Sequence, residues 1–335
     1  MVKFYHDEDA DLGLLEDRTI AVLGYGHQGR AQALNMRDSG VRNLVVGNIE
    51  DEYRDQALED GFEVLALAEA AQRSDVIFLL LPDETAPVVY ERDVAERLLE
   101  GKALVFASGY NLTYGHIQPP DFVDVIMVAP RMLGQGVREL YLEGAGFVSF
   151  VSVEQDASGQ AWWLALAVAK AIGSTRAGVM ELSAAQETHL DLFMEQAFGP
   201  LLGAAITTAY HVGVEAGFPP EALLLELYMS GEMAYVFRTM AELGLMKQAR
   251  LHSLTSQFGG MIRSLALNRE EIDRSMRDAL DDIFSGAFAR EWEEERKAGY
   301  PSFAFMQGMS DEEHPLTAVE DRLRGHLRMG WDEIV

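Results

Sequence analysis

From residue 18 to about 180 the chain alternates short β-rich runs with helical stretches, and after residue 183 the β signals stop. That switch constrains the fold more than any single motif. The runs are TIAVLGYG, NLVVGN, DVIFLLLP, ALVFASGY, VIMVAP and FVSFVSV. Strands spaced by helical segments predict a parallel sheet with helices on both faces. The runs are apolar throughout rather than alternating, as strands covered on both sides are. The expected architecture is an α/β Rossmann-type N-terminal domain over 1–182, an all-α C-terminal domain over 183–328, and a tail, 329–335. SAAQ, 183 to 186, has the Ser-x-x-Gln form of a capping box and opens the helical half. The segment that follows, to Gly217, is too apolar for an ordinary surface helix and is expected to be buried nearly all round. PPEALLLELYMSGEMAYVFRTMAELG reads as helix from Pro219 and Pro220 to near Gly244. REEIDRSMRDALDDIFSG and AFAREWEEERKAG follow as two more helical stretches.

Composition narrows the function classes. With 335 residues the chain suits about two domains. It has no cysteine, which excludes disulfides, thiolate chemistry and Cys-ligated metals, so any metal sits on oxygen or imidazole. A net charge of -27 repels nucleic-acid backbones and anionic membrane surfaces. Uninterrupted apolar runs such as VIFLLLP are far short of the roughly 20 residues of a membrane helix, and MVKFYHDEDADL lacks a signal peptide's apolar stretch. These features place the chain in the cytosol, with a small-molecule substrate.

GYGHQG, Gly24 to Gly29, matches G-x-G-x-x-G, and it follows the strand TIAVL and precedes the helix RAQALNMRDSG. In that context Gly24 permits a tight turn, Gly26 lets the backbone approach a pyrophosphate, and Gly29 allows close helix packing. The helix N-terminus faces the anion. A nicotinamide dinucleotide is the expected ligand, with Tyr25, His27 and Gln28 in the loop that meets it; His27 either lines that loop or is merely exposed. The second strand ends LVVGN at Asn48 and runs into Ile49, Glu50, Asp51 and Glu52. A 2′-phosphate would be repelled there, so NADH is expected over NADPH, with Asn48 and Asp51 at the cofactor.

ETHLDLFMEQAF, 187 to 198, sets Asp191 and Glu195 one helical turn apart among apolar neighbours. Acids in the first turns of a helix suit its dipole and can simply reach solvent. A buried carboxylate must instead be paired, protonated or bound to metal. Glu226, within ALLLELYM, repeats the pattern on another apolar helix. Three acids on two such helices suggest an oxygen-ligated Mg²⁺ site.

FYHDEDADLGLL, VLGYGHQGRAQALNMRDSGV, FLLLPDETAPVVY, VDVIMVAPR, EQDASGQA, AIGSTRAGVMELS and ETHLDLFMEQ together resemble segments of ketol-acid reductoisomerase, short form, over almost the whole chain. The resemblance implies a Rossmann domain followed by a knotted helical domain and an active site formed in a dimer. It also implies two Mg²⁺ ions that hold a 2-acetolactate-type substrate while an alkyl group migrates, before NAD(P)H reduces the resulting 2-oxo acid. By the same resemblance Asp191 and Glu195 are metal ligands, Glu226 is the glutamate lent by a partner subunit, and Ser253 binds the substrate carboxylate.

Departures from the family pattern fall in one region. Ser108, in FASGYN, stands where the family has a histidine, and serine is no proton donor of comparable acidity near neutral pH. Arg131 stands for the family's lysine, and arginine keeps its charge but not a lysine's readiness to give up a proton. Ser230 stands for a second glutamate four residues beyond Glu226. Tyr110, His116, His189 and His252 are the remaining candidate proton sources. The leading expectation is a diverged, NADH-preferring, Mg²⁺-assisted reductase of a small 2-oxo acid, hydroxy-oxo acid or imine. An authentic reductoisomerase of branched-chain amino-acid synthesis and a non-catalytic dinucleotide-binding protein are the alternatives. Helices as apolar as 197–217 and 220–240 are more than one small domain can cover, so a homodimer or larger homo-oligomer is expected.

Overall fold

The structure, a computed structural model, describes residues 2–308 and 315–329. It divides into two compact units, Met1–Asp191 and Leu192–Val335.

The first unit is built on a nine-stranded sheet. In chain order its strands and helices are β1 (Phe4–Tyr5), β2 (Ile20–Leu23), α1 (His27–Asp38), β3 (Leu44–Gly47), α2 (Glu52–Glu59), β4 (Glu63–Leu65), α3 (Leu67–Arg73) and β5 (Val76–Leu79). They continue with α4 (Ala86–Val89), β6 (Ala103–Phe106), α5 (Tyr110–Thr113), β7 (Asp124–Pro130), α6 (Gly134–Leu142), β8 (Ser149–Gln155), α7 (Ala161–Ile172), β9 (Val179–Glu181) and α8 (Ala184–Phe193). The strand order is β1-β9-β8-β7-β6-β5-β2-β3-β4. Successive side chains of a strand point to opposite faces. Ile20, Val22, Val76 and Phe78 enter one core and Ala21, Leu23, Ile77 and Leu79 the other. That is why these runs are apolar at every position. Strand order reverses at β2, which has β5 on one side and β3 on the other, both parallel to it. A crevice at such a switch point is where doubly wound sheets receive ligands.

The sheet is not wholly parallel as expected. β8 runs antiparallel to β7, and β1 antiparallel to β9. β8 also mixes buried and partly exposed positions instead of being buried throughout. β1, β4 and β9 have two or three residues each, too few to carry a periodic signal.

The two units meet at Asp191 and Leu192, later than the expected boundary at 182, because α8 is fastened to the first unit. Its capping box forms: Gln186 N–H donates to Ser183 Oγ (3.3 Å), and Ser183 N–H donates to Gln186 Oε1 (3.4 Å). Glu154 of β8 accepts the Ala184 N–H at 2.7 Å, and the Thr113 and Thr188 hydroxyls bond at 3.1 Å.

In the second unit a π-helical turn, Met194–Phe198, leads into α9 (Gly199–Glu215). Then come α10 (Pro220–Leu224), a second π-turn (Leu225–Met229), α11 (Glu232–Leu243) and α12 (Leu245–Gln248). α13 (Leu254–Leu265), α14 (Arg269–Phe284), α15 (Ala287–Lys297), α16 (Pro301–Gly308) and α17 (Pro315–His326) complete it. The helix expected over 219–244 is interrupted at Gly231, which has a left-handed φ of 81°. α12, α13, α16 and α17 fall outside the expected helical stretches. Apart from Met329, the expected tail 329–335 lies outside the described residues.

One expectation about Ala184–Glu215 is corrected. The segment is not buried nearly all round: Phe198, Leu202, Val212 and Val214 are exposed in the single chain. By length and composition alone its 32 residues also pass the test for a membrane-crossing helix, as the apolar helices of soluble proteins can, although every uninterrupted apolar run is short. Mean hydropathy tolerates the scattered polar residues that break a run. Glu187, Asp191 and Glu195 all lie in its first half.

Candidate active site

β2 ends at Leu23, and Gly24 turns the chain sharply, with φ 93° and its N–H on Gly47 C=O at 2.9 Å. α1 then begins at His27 with Gly26 as N-cap. The glycines behave as the motif requires. A Cβ on Gly29 would lie 2.0 Å from Gly24 O, whereas one on Gly26 would meet nothing within 4 Å. The open space above Gly26 belongs to a cavity of about 630 Å³. Its walls include Tyr25, His27 and Gln28 from the glycine loop, Asn48 and Asp51 from the loop after β3, and Ser108 and Asn111 from the segment after β6. A cavity of this size, at the switch point and beside a helix N-terminus, fits a dinucleotide. The structure thus brings every candidate cofactor residue except Gly29, which packs behind the loop against Gly24, together with Ser108.

Bonds outside the motif brace the loop. Tyr25 is buried, and its hydroxyl donates to Asp60 at 2.9 Å, where Arg30 also donates at 2.7 and 3.1 Å. Burial pushes the Asp60 carboxyl up, but the bonds from Arg30 and Tyr25 outweigh it and hold the group below its usual range. Gln28 Nε2 donates to Met132 C=O at 2.9 Å, and a Cβ on Gly134 would lie 2.5 Å from His27.

Arg131 follows β7 directly. Its guanidinium stands 2.9 Å from Glu187 Oε1, bonds Asp191 Oδ1 as well, and lies 5.2 Å from the centre of the Phe150 ring. Glu187 is the buried acid of this helix, and its Oε2 accepts the Gly109 N–H at 2.9 Å. Burial pushes its carboxyl up to about 7, against the Gly109 N–H and with help from the Asp191 charge; Arg131 pulls the other way. Gly109 admits the close approach, since a Cβ there would lie 2.3 Å from Ala184 O. Ser108 Oγ accepts the Tyr110 N–H at 3.3 Å, so its proton is left for another partner.

Sequence reasoning missed Glu187. The signal was present, because the series Glu187, Asp191, Glu195 repeats every four residues. Asp191, expected in an oily interior, has its side chain 36% exposed and one oxygen on Arg131. Its other oxygen remains for further ligands, and carboxylate donors suit a hard divalent cation.

In the second unit Glu195 and Glu226 are exposed, each on a π-turn, a local geometry frequent at functional sites. Ser253 is exposed as the N-cap of α13, its Oγ accepting the Ser256 N–H at 3.2 Å. Among the described residues of one chain, no three His, Asp or Glu side chains converge as a metal site. The candidate proton sources Tyr110, His116 and His189 form an aromatic group with Tyr114 instead of lining the cofactor cavity. Burial lowers the His189 pKa. His252 pairs with Gln248 at 3.0 Å.

Comparisons with known proteins bear on both units. Residues 14–178 match the family described as acetohydroxy acid isomeroreductase, NADPH-binding domain, and residues 185–329 match ketol-acid reductoisomerase, C-terminal domain. A putative ketol-acid reductoisomerase 3 of Saccharolobus solfataricus is 45% identical over 88% of this chain and 90% of its own. A ketol-acid reductoisomerase (NADP(+)) of Methanopyrus kandleri is 43% identical over 99% of this chain and 100% of its own. The solved structure of an NADH-preferring ketol-acid reductoisomerase from an uncultured archaean superposes with a TM-score of 0.91. It is 38% identical and covers 97% of this chain and 99% of its own.

Proposed function

This chain belongs to the ketol-acid reductoisomerase family and is an NAD(P)-dependent oxidoreductase; from that premise we propose that it prefers NADH and acts in the cytosol as a Mg²⁺-assisted reductase. Its substrate is a small 2-oxo acid, hydroxy-oxo acid or imine, and its capacity for alkyl migration is reduced. The observation that carries this reading is Arg131, bonded to Glu187 and Asp191 at once. A guanidinium holds its proton at any working pH, so it can orient the two acids and lend charge but cannot relay a proton. Reduction asks less of the chain: a seated cofactor, a positioned carbonyl or imine, and a hydrogen-bond donor beside it. The glycine loop would seat the pyrophosphate, and Ser108, which lines the same cavity and accepts only the Tyr110 N–H, would donate to the carbonyl or imine.

Asp191 and Glu195 would hold Mg²⁺, with Glu226 supplied by a second copy of the chain. When bound, the ion supplies Lewis acidity toward the substrate oxygen. Ser253 would orient the substrate carboxylate. The exposed apolar faces of α9 and α11 support a homo-oligomer, because patches of this kind are commonly covered by a partner.

Full-length similarity to a relative named ketol-acid reductoisomerase favours a second reading, the complete reductoisomerase reaction. The two separate in one assay of NADH oxidation with Mg²⁺. The substrates are 2-acetolactate, which must rearrange first, and a 3-hydroxy-2-oxo acid, which needs only reduction. Our reading expects the second to turn over at least about a hundredfold faster, the scale typical of losing one acid–base group. Equal rates establish the complete reaction and end the proposal. Tight NADH binding with no turnover of any oxo acid or imine would mark a dinucleotide-binding protein instead.

A further inference from the structure

β3 ends on Gly47, and the next residue, Asn48, lies where a Rossmann fold receives the adenosine ribose. Its side chain joins two parts of the cofactor site. Oδ1 accepts the Tyr25 N–H of the glycine loop at 3.2 Å. Nδ2 donates to Asp51 Oδ1 at 2.7 Å and to Ile49 C=O at 3.2 Å. The neighbours fix the amide's orientation independently, since an N–H calls for the oxygen and a carboxylate for the nitrogen. Asp51 is also the N-cap of α2, and the same Oδ1 accepts the Arg54 N–H at 3.0 Å. Two donors thus converge on one oxygen of Asp51. Oδ2 has no hydrogen-bond partner among the described residues, and Asp51 lies on the cavity wall.

We propose that Asn48 is a positioning residue for cofactor choice. It turns Asp51 so that Oδ2 accepts from the vicinal hydroxyls of the NADH ribose and sets a negative charge against the 2′-phosphate of NADPH. A carboxylate free to rotate could swing away from that phosphate; one held at Oδ1 by a side chain and a helix N-terminus cannot. The inference rests on the NADH preference proposed above and adds the group that enforces it. Glu50 and Asp93 line an adjoining hollow of about 440 Å³ together with Arg54 and Arg92, and Arg92 is already paired with Asp93.

The test is a titration of the full-length protein with NADH and with NADPH, read by nicotinamide fluorescence and needing no substrate. The proteins are wild type, Asn48→Leu, Asn48→Asp, Asp51→Asn and the double variant Asn48→Asp/Asp51→Asn. Asn48→Asp keeps an acceptor for Tyr25 N–H while placing a carboxylate against Asp51, so it separates the lock from the loop anchor and serves if Asn48→Leu does not fold. Both Asn48 variants should weaken NADH about tenfold, the worth of a lost hydrogen bond to a charged group, and move NADPH less than about threefold. The double variant should bind NADH no worse than Asp51→Asn alone, because with the acceptor for Tyr25 N–H kept the two changes act through one contact. A merely structural Asn48 would weaken both cofactors alike and add to Asp51→Asn, which overturns the proposal. A preference for NADH that Asp51→Asn abolishes and both Asn48 variants keep also overturns it, leaving the cofactor reading intact. Wild type that binds NADPH as tightly as NADH overturns both.

Discussion

Gly26 and Gly29 stand three residues apart in one motif and are glycine for opposite reasons. At Gly29 a methyl group would collide with Gly24 O; at Gly26 it would enter empty space that a pyrophosphate needs. Gly29→Ala should therefore lower stability by about 1–3 kcal/mol, the usual cost of overpacking. Gly26→Ala should cost at most about 1 kcal/mol, as an N-cap change, yet weaken NADH at least about tenfold. Thermal melts beside cofactor titrations check the pair. Glu187 gives a pH prediction. Its folded pKa of about 7 lies above its ordinary 4.5, so its contribution to stability is present below 4.5 and is lost as pH rises through 7. Glu187→Gln cannot ionise, so the melting temperature of wild type should fall relative to this variant between pH 5 and 8. The ceiling is on the order of 3 kcal/mol. A constant gap across that range would rule the shift out. The motif glycines were legible because their spacing is local. Glu187 could have been read from the four-residue series it opens, but its pairing with Arg131, 56 residues away, could not.

The same division between local and distant signals governs the elements. The capping box at Ser183 and Gln186 was readable from four residues, and it forms. Glu154, which accepts the Ala184 N–H from β8, was invisible because only the fold brings it there. Glu154→Ala should cost about 1–2 kcal/mol through the lost cap and the Ser152 hydroxyl it leaves without its acceptor. Because α8 carries Glu187 and Asp191, turnover should fall with it, while NADH affinity stays within about threefold. An equal loss of both would show that the cap supports the whole fold. Helix boundaries in the second unit were less legible. Gly231 divides a continuous apolar pattern with one left-handed residue, and the π-turns at 194–198 and 225–229 leave no mark that differs from an ordinary helix.

For the molecule as a whole, apolar periodicity correctly separated an α/β unit from a helical one but overstated what one chain buries. Tyr235 and Phe237 of α11 are exposed with Phe198 and Val212, so sequence alone could identify surfaces seeking cover without saying which chain provides it. Light scattering should give a dimer or larger assembly. Phe198→Glu with Val212→Glu should shift it toward monomer while NADH affinity, which belongs to the first unit, stays within about threefold. A monomeric wild type would end the oligomer proposal. Within the first unit, the four residues from Arg131 to Gly134 press on two things at once. Arg131 grips Glu187 and Asp191, while Met132 C=O holds Gln28 and Gly134 abuts His27. A dinucleotide seated on the glycine loop would sit against the same short segment that steadies the acid pair. Any factor by which the cofactor tightens the arginine's grip on those acids must be matched by the factor by which that grip tightens the cofactor.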